Sequence, residues 1–232
     1  MQKELFRNDS YLKTCSSKII EILEEGIVLD NNIFYPEGGG QPGDAGKVKC
    51  DNKSFEIINT KYIDKKIVLY LEDSSVFNLN QEIFCEINWT RRFNIMQVHT
   101  CLHLLCSIIK APVTGGQISL GKGRLDFDLE SKPDKEFVMD NVNKLIKGNF
   151  DVKISNITEE ELDKNPELVR TMAVKPPRGS GMIRMISIGK NVDYQPCGGT
   201  HVKNTSEINL VTKVKVENKG RMNKRVILEL NY

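Results

Sequence analysis

Long hydrophobic runs are missing from this sequence. It has 232 residues, 39% hydrophobic and 28% charged, and no stretch approaches the roughly 18 apolar residues of a membrane span. The segment from Met1 to Asn8 also lacks the apolar core of a signal peptide. These absences predict a protein without a membrane partner and with a cytoplasmic location. The length suits one large domain or two small ones.

Paired cysteines are missing as well. The chain has six cysteines, but none forms a CxxC pair and their spacings are irregular. This pattern argues against a disulfide framework and predicts that most of them are small buried residues. Cys197 is the exception developed below. The six are Cys15, Cys50, Cys85, Cys101, Cys106 and Cys197.

A large net charge is the third absence. At +2, the chain has no global signature of nucleic-acid binding. The charge is uneven, however, because six basic residues and one acid, Glu217, lie between Lys213 and Arg225. Such a patch can hold phosphates, and Lys219 and Arg221 are its candidate contacts. The alternative is a solvated hairpin face.

Short β-favouring runs fill the chain from Ser16 to Trp89, separated by Gly, Asn, Asp and Ser. Several short strands at this spacing predict a small β-barrel. The segment YPEGGGQPGDAG, from Tyr35 to Gly46, interrupts them and is too rich in glycine to be regular structure. We therefore predict that residues 1–89 form a β-barrel domain that carries a glycine-rich motif.

A helical pattern begins after Trp89 and predicts one helix. Its N-cap candidates are Thr90 and Asn94, and it is expected to end near Lys110, because Pro112 disfavours continuation. The apolar positions with helical period are Ile95, Val98, Leu102, Leu105, Ile108 and Ile109.

Alternating strands and helices are predicted for the remainder of the chain. A hairpin follows Pro112, then a short helix interrupted at Pro166, and later a second hairpin that turns near Lys219–Gly220. Between the first hairpin and the short helix, an amphipathic helix is expected, with Phe137, Val138, Val142, Leu145 and Ile146 facing inward. The prediction is an α+β protein whose residues 90–232 form an α/β two-layer sandwich with a mostly antiparallel sheet.

All three histidines of the chain lie in two short motifs. His99 and His103 belong to HTCLH, and the spacing i, i+4 on a helix places both imidazoles on one face. Cys101 points to the opposite side and is not expected to be a ligand. CGGTH combines Cys197 with His201, and its two glycines allow a tight turn that could bring both donors to one point.

Each motif alone is weak, because such histidines are more often surface or core residues and CGGTH could be a glycine turn with a buried cysteine. Together they predict one shared site with three imidazoles and one thiolate, a donor set that suits Zn²⁺. Four protein ligands are typical of a structural zinc site. A catalytic role would require the coordination to expand or one ligand to be displaced.

These motifs resemble those of the alanyl-tRNA editing protein family, whose members are related to the editing domain of alanyl-tRNA synthetase. HTCLH followed by LL is similar to the first zinc motif of the family, and QPCGGTH to the second. GGGQPGDAG resembles the glycine-rich motif of the medium-length members. The resemblance covers essentially the whole chain, and it implies a free-standing editing protein rather than a synthetase.

The resemblance implies a zinc-dependent hydrolase that removes serine, and in some members glycine, from tRNA(Ala). It assigns the zinc ligands to His99, His103, Cys197 and His201. It also places the segment PVTGGQIS beside the amino-acid pocket, where Thr114 and Gln117 are our candidates for contacting the substrate. An ordinary polar turn is the alternative for these two. Many synthetase editing domains carry Thr where this chain has Leu102, so no hydroxyl contact is assigned there.

The glycine-rich loop and the segment KPPRGSG add candidate tRNA contacts to those of the basic patch. The glycine-rich loop could present backbone N–H groups to a phosphate, or could be a turn that packs domains together. KPPRGSG is a loop stiffened by two prolines, suited to contacting the acceptor stem or to a plain surface role. The candidates for contacting tRNA are Gly38, Gly39, Gly40, Gln41, Lys175, Arg178, Lys219 and Arg221.

Asp193, near the second motif, could orient a metal ligand or be a surface acid.

Three other functions are compatible with the motifs. The first is editing of the threonyl-tRNA type, since that synthetase carries similar paired motifs. The second is a non-catalytic zinc module that binds tRNA. The third is a zinc hydrolase for a small ester or amide, although HxxxH lacks the Glu of the metallopeptidase motif HExxH. A monomer is the favoured oligomeric state.

Overall fold

Antiparallel strands make up most of the regular structure, and a few helices accompany them, which confirms the α+β class. The computed structural model describes residues 2–172, 178–179 and 181–231. The chain divides into two units, Met1–Phe93 and Asn94–Tyr232. Among the described residues, no helix has both the length and the apolar composition to cross a membrane.

The first unit is built around one seven-stranded sheet with the order β6-β5-β9-β2-β3-β8-β7, in which every neighbouring pair is antiparallel. A short parallel pair, β1 with β4, lies beside it. The strands are β1 (Lys3–Glu4), β2 (Thr14–Leu23), β3 (Gly26–Leu29), β4 (Asn31–Asn32), β5 (Gly46–Cys50), β6 (Lys53–Ile57), β7 (Asn59–Ile63), β8 (Lys66–Tyr70) and β9 (Glu82–Ile87).

Strand β2 is where this sheet curls. Its first half, from Thr14 to Lys18, pairs with β9, whereas the half from Ile19 to Leu23 pairs with β3 across a register shift. Such irregularities bend a strand and increase its twist. The result is a curled half-barrel. The edge strands β6 and β7 share no ladder in the described part of the chain, so the closed barrel stays a prediction.

The second unit contains two antiparallel sheets with the orders β10-β11-β16-β15 and β12-β13-β14. The unit boundary falls within helix α1. The elements are α1 (Trp89–Ile108), β10 (Val113–Ser119), β11 (Lys122–Asp128), α2 (Lys135–Lys147), β12 (Val152–Thr158), α3 (Glu159–Lys164), β13 (Met182–Ile188), β14 (Asp193–Pro196), β15 (Val211–Gly220) and β16 (Asn223–Leu230).

One face of the four-stranded sheet packs against helices. A Cβ on Gly123 of β11 would lie 2.7 Å from Val98 and 3.0 Å from Leu102, so glycine allows α1 to approach β11 closely. Asn143 of α2 exchanges hydrogen bonds of 2.9 Å with the backbone of Val211 in β15. Helices α1 and α2 therefore cover one face of the sheet, which is compatible with the predicted two-layer sandwich.

The start of α1 corrects the predicted N-cap. The helix begins at Trp89, and Asn88 receives the N–H of Arg91 at its side-chain oxygen, 3.0 Å away. Thr90 and Asn94 therefore lie inside the helix. The pattern missed this start because Trp89 also packs against the core of the first unit, so the strand pattern and the helix pattern overlap there.

Helix α2 corrects a second prediction. Val138, Val142 and Ile146 are buried as expected, but Phe137 is 58% exposed. Asp134 accepts the N–H of Phe137 as the N-cap, so Phe137 lies in the first turn beside the cap. Strands β12 and β14 were not predicted, because VKISNIT has mostly exposed side chains and DYQP has only four residues.

Candidate metal centre

Four side chains converge on one point of the second unit. The ligand atoms of His99, His103, Cys197 and His201 all lie within 4.8 Å of one another. Cys197 Sγ is 3.5 Å from His99 Nε2 and 3.3 Å from His201 Nε2. The structure thus brings together two motifs that are about a hundred residues apart in the sequence, and the group could hold a metal ion.

Helix α1 supplies two of the four donors. His99 and His103 stand one turn apart, with ring centroids 5.3 Å from each other. Cys101, which lies between them in the sequence, is outside the group and fully buried, and desolvation raises the pKa of its thiol to about 12. It is therefore an inert core residue, as predicted.

The CGGTH segment supplies the other two donors and is held by Arg184 of β13. Arg184 Nη1 donates to the carbonyl oxygens of Cys197, at 2.6 Å, and Gly199, at 3.0 Å. The N–H of Gly199 donates to Cys197 Sγ at 3.4 Å. Arg184 thereby fixes the turn that places His201 and Cys197 side by side.

Asp193 orients His103 from β14. His103 Nδ1 is 2.8 Å from Asp193 Oδ2, and both residues are buried. Gln195 also donates to Asp193 Oδ2, at 2.8 Å. Because a carboxylate only accepts, Nδ1 carries a proton, and Nε2 is the ring nitrogen that faces the group. Asp193 therefore takes the orienting position that the sequence offered as one of two readings.

Thr100 orients His201 in the same way. Its hydroxyl donates to the carbonyl oxygen of Met96 at 2.9 Å and lies 3.1 Å from His201 Nδ1. The hydroxyl has one proton, so its oxygen accepts the Nδ1–H of His201 and, at 3.3 Å, the N–H of Val202. His201 Nε2 is consequently left facing Cys197.

The electrostatics of the group favour cation binding. Burial opposes ionisation of the Cys197 thiol, but His99 and His201 outweigh it and hold the pKa of Cys197 well below its ordinary value. Burial, reinforced by His99, also pushes the pKa of His201 well down. A thiolate and a neutral imidazole are forms that bind metals, so Cys197 and His201 fit a zinc ion.

The pKa of His103 shifts in the direction opposite to that of His201. Burial lowers the pKa of His103, but hydrogen bonds with Asp193 and Cys197 outweigh it and raise that pKa to about 10. The Nδ1 proton is retained by Asp193, so a cation would displace only the proton at Nε2. His103 and His201 are buried, whereas His99 and Cys197 remain partly exposed, so the group is accessible from one side.

The structure gives the two predicted pocket residues contacts with strand β11. Thr114 Oγ1 donates to the carbonyl oxygen of Asp126 at 3.2 Å, and Gln117 Oε1 accepts from Arg124 Nε at 3.2 Å. Among the described residues, neither side chain has a hydrogen bond to the four donors. Their role in the substrate pocket stays a prediction.

The glycine-rich loop of the first unit is anchored by a buried ion pair. Arg92 is 0% exposed, and its Nε lies 3.0 and 2.9 Å from the two carboxylate oxygens of Asp44. Arg92 also donates to the carbonyl oxygens of Ser10, at 2.9 Å, and Ile33, at 2.7 Å. The N–H of Tyr35 donates to Asp44 Oδ2 at 2.6 Å.

The tip of this loop is a tight turn. The backbones of Gly38 and Gln41 hydrogen-bond to each other, at 3.0 and 2.9 Å. Gly39 and Gly40 have φ angles of +58° and +82°, which glycine adopts readily. A side chain on Gly39 would meet nothing within 4 Å, whereas Gln41 is buried. The two middle glycines are therefore open to a partner.

The remaining predicted tRNA contacts are surface residues or lie outside the description. Lys175 lies outside the described residues. Arg178 is exposed and pairs with Asp163 at 2.6 Å, and Lys219 pairs with Glu217 at 2.9 Å. Arg221 is exposed at the turn between β15 and β16.

Some residues around the centre have no local signal in the sequence. Thr100, Gln195 and Arg184 are neutral or distant side chains whose role depends on the tertiary contact. Arg92 is separated from Asp44 by 48 residues. The sequence signal for this ion pair was an arginine near the start of a predicted helix together with an aspartate in a glycine-rich loop.

Family models match two separate parts of the chain. Residues 183–227 match the model described as the threonyl and alanyl tRNA synthetase second additional domain. Residues 7–91 match the model described as tRNA synthetases class II (A). The first match includes Cys197 and His201.

Similar proteins extend over nearly the full chain. The alanyl-tRNA editing protein AlaX-M of Saccharolobus solfataricus is 32% identical, over 97% of this chain and 98% of its own length. The protein of the same name from Methanosarcina barkeri is 30% identical, over 99% of both chains. The alanine–tRNA ligase of Sulfurisphaera tokodaii is 32% identical over 93% of this chain, but over only 25% of the ligase.

Proposed function

We propose, since this chain belongs to the alanyl-tRNA editing protein family, that it is a free-standing aminoacyl-tRNA deacylase that hydrolyses mischarged tRNA(Ala). The observation that carries the proposal is the convergence of His99, His103, Cys197 and His201 on one partly exposed point. The preferred substrate is Ser-tRNA(Ala), and Gly-tRNA(Ala) is the second.

These four residues are proposed to hold Zn²⁺. When bound, zinc supplies a Lewis acid that can polarise an ester carbonyl or lower the pKa of a water. Asp193 keeps a proton on His103 Nδ1 and Thr100 accepts the one on His201 Nδ1, so both rings keep their orientation. Arg184 keeps Cys197 beside them by binding the carbonyls of the turn.

Selection of serine over alanine requires a hydrogen-bonding pocket. Thr114 and Gln117 are the proposed contacts, and their polar groups would be left unpaired by alanine, which lacks the hydroxyl. Discrimination of this kind reaches roughly 10⁴–10⁵. The glycine-rich loop, Lys175, Arg178, Lys219 and Arg221 are proposed to contact tRNA. We also propose that residues 1–89 form a β-barrel domain and residues 90–232 the editing domain, a two-layer sandwich, in a cytoplasmic protein.

The test is release of serine from Ser-tRNA(Ala), with Ala-tRNA(Ala) in parallel. The zinc-loaded protein should release serine and spare alanine. Cys197→Ala removes one of four donors, so it should lower both zinc content and the rate of serine release by at least about 100-fold, more than the loss of an outer-sphere partner. Cys50→Ala, a half-buried cysteine of the first unit, is the matched control and should change neither.

Each other outcome points to a different function. If the zinc-loaded protein does not release serine from Ser-tRNA(Ala), the proposal is contradicted. If tRNA still bound, that result would favour the non-catalytic zinc module. Release of serine from Ser-tRNA(Thr) but not from Ser-tRNA(Ala) would favour the threonyl class, whose second additional domain shares the family model matched here.

A further inference from the structure

The four-stranded sheet of the second unit has one face that turns away from α1 and α2. The register aligns its outward side chains in three rows across β10, β11, β16 and β15. We call this surface the basic sheet face. The rows are Gly115–Asp126–Arg225–Glu217, Gln117–Arg124–Ile227–Lys215 and Ser119–Lys122–Glu229–Lys213.

Positive charge exceeds negative charge on this face. Asp126 is shared by two guanidinium groups, with Arg225 at 2.7 Å and Arg124 at 2.9 Å. Glu217 pairs with Lys219, which follows it two residues later. The basic residues of the three rows are Lys122, Arg124, Lys213, Lys215 and Arg225, and the acids are Asp126, Glu217 and Glu229.

The excess is greatest around Glu229, where three ammonium groups converge on a single carboxylate. Lys122, Lys213 and Lys215 lie 3.6, 3.5 and 3.5 Å from its oxygens. All three lysine side chains are about half exposed, at 49%, 53% and 46%. One carboxylate cannot neutralise three cations, so their mutual repulsion is left for an external anion to relieve.

The carboxylate of Glu229 is ionised and partly offsets the charge of the three lysines. Partial desolvation opposes ionisation of Glu229, but Lys213 and Lys215 outweigh it and hold its pKa below the ordinary value, so it is charged at neutral pH. Exposed ion pairs of this length contribute little stability. The lysines can therefore exchange the carboxylate for a phosphate at small cost. Arg124 and Lys215 lie on either side of Ile227 in the register, and Ile227 is buried, so an apolar side chain packs at the middle of this face.

We propose that the basic sheet face binds the phosphodiester backbone of the tRNA substrate, with Lys122, Lys213 and Lys215 as the central contacts. This inference rests on the proposed function and adds a surface to it. It differs from the candidates Lys219 and Arg221, which lie at the hairpin turn. Because phosphate contacts carry no base information, this face positions tRNA and does not select it.

The experiment measures binding of uncharged tRNA(Ala) as a function of salt concentration. The variant Lys122→Gln/Lys213→Gln/Lys215→Gln should bind more weakly, and the slope of log K against log salt should fall by about two to three, roughly 0.7–0.9 for each lost phosphate contact. The matched control replaces three exposed lysines of α2, Lys135, Lys144 and Lys147, by Gln. It loses the same charge and should keep the wild-type slope.

A second variant tests whether removing a negative charge from the face strengthens tRNA binding. Glu229→Gln removes the carboxylate that competes with phosphate, so it should bind tRNA more tightly and with a steeper salt slope than the wild type. A misfolded protein would not bind more tightly, so this arm separates a binding surface from a structural role.

Each outcome decides the inference. A reduced slope in the lysine variant together with tighter binding by Glu229→Gln supports it. An unchanged slope in the lysine variant, an equal loss in the α2 control, or weaker binding by Glu229→Gln overturns it while leaving the hydrolysis of Ser-tRNA(Ala) untouched as a separate measurement. A wild-type protein that does not bind tRNA overturns both this inference and the proposed function.

Discussion

Two polar groups of this protein, one in each unit, differ in the kind of atoms that they bring together. In the first unit, the guanidinium of Arg92 binds the carboxylate of Asp44 and two backbone carbonyls. In the second unit, a thiolate and three imidazole nitrogens point toward one another. The loop anchor pairs a cation with an anion of the same chain, whereas the second group gathers four metal-binding donor atoms within 4.8 Å of one another.

The difference distinguishes a structural group from a binding group. A buried ion pair that satisfies its own hydrogen bonds holds backbone in place. Metal-binding donor atoms that lie within 4.8 Å of one another, and whose rings are oriented from outside as His201 is by Thr100 and His103 by Asp193, indicate a ligand site. Outer-sphere contacts are therefore as informative as the donors themselves.

Breaking the loop anchor should give the largest effect. Arg92→Met leaves the Asp44 carboxylate buried without its cation, so we expect a loss of about 3–5 kcal/mol in the free energy of unfolding. Trp89, the single tryptophan, lies 5.3 Å from Tyr11 between ring centroids and reports this unit by fluorescence during urea unfolding. The matched control is Arg91→Met, whose partner is the carbonyl oxygen of Gly43 at 3.2 Å. Equal losses in the two variants would contradict the comparison.

Removing the hydroxyl of Thr100, which orients His201 but is not a proposed metal ligand, should give an effect of intermediate size. Thr100→Val keeps the volume but removes the oxygen that accepts the Nδ1–H of His201, so we expect zinc affinity to fall about 10–100-fold. Thr100→Ser keeps the oxygen and should restore most of the affinity. The measurement is competition with a chromogenic chelator. Wild-type affinity in Thr100→Val would show that the hydroxyl has no orienting role.

A third carboxylate, Asp126, should show the smallest effect. Hydrogen bonds from Arg225 dominate over desolvation and lower the pKa of Asp126, so its folded pKa lies below the unfolded value of about 3.9. Its contribution, about 1 kcal/mol, is present above about pH 4 and is lost as the pH falls through the folded pKa. The urea midpoints of wild type and Asp126→Asn should differ at pH 7 and converge near pH 2–3. The exposed residue of α2, Asp140, gives the control Asp140→Asn, which should match wild type at both values; a difference between wild type and Asp126→Asn that is the same at both values would be inconsistent with this linkage.

Patterns in the sequence predicted the elements whose signal is local. The period of α1, the hairpin of β10 and β11, and the helix break at Pro166 were all found this way. The start of α1 was not, because Asn88 caps it from within a strand-like segment. Phe137 was placed inward from periodicity alone, but a residue in the first turn follows the cap geometry instead.

The four donors were predictable because histidine is rare here and each motif has a spacing that metal sites use. The residues around them were not all predictable. Asp193 was offered as an orienting acid, but Gln195 and Thr100 have no spacing rule, since a hydroxyl or an amide becomes functional only by tertiary contact. For the same reason Arg184, in the middle of a strand, gave no hint that it holds the CGGTH turn.

Strand order in the second unit has a consequence for synthesis on the ribosome. Strand β11 lies beside β16, and their paired residues, such as Lys122 and Glu229, are about a hundred residues apart. A nascent chain that has emerged only as far as β14 holds His99, His103 and Asp193, but it has neither CGGTH nor the strand that fills the middle of the sheet. Pairings of such long range are slow to form, and until β16 emerges the edge of β11 that pairs with it can hydrogen-bond to other chains.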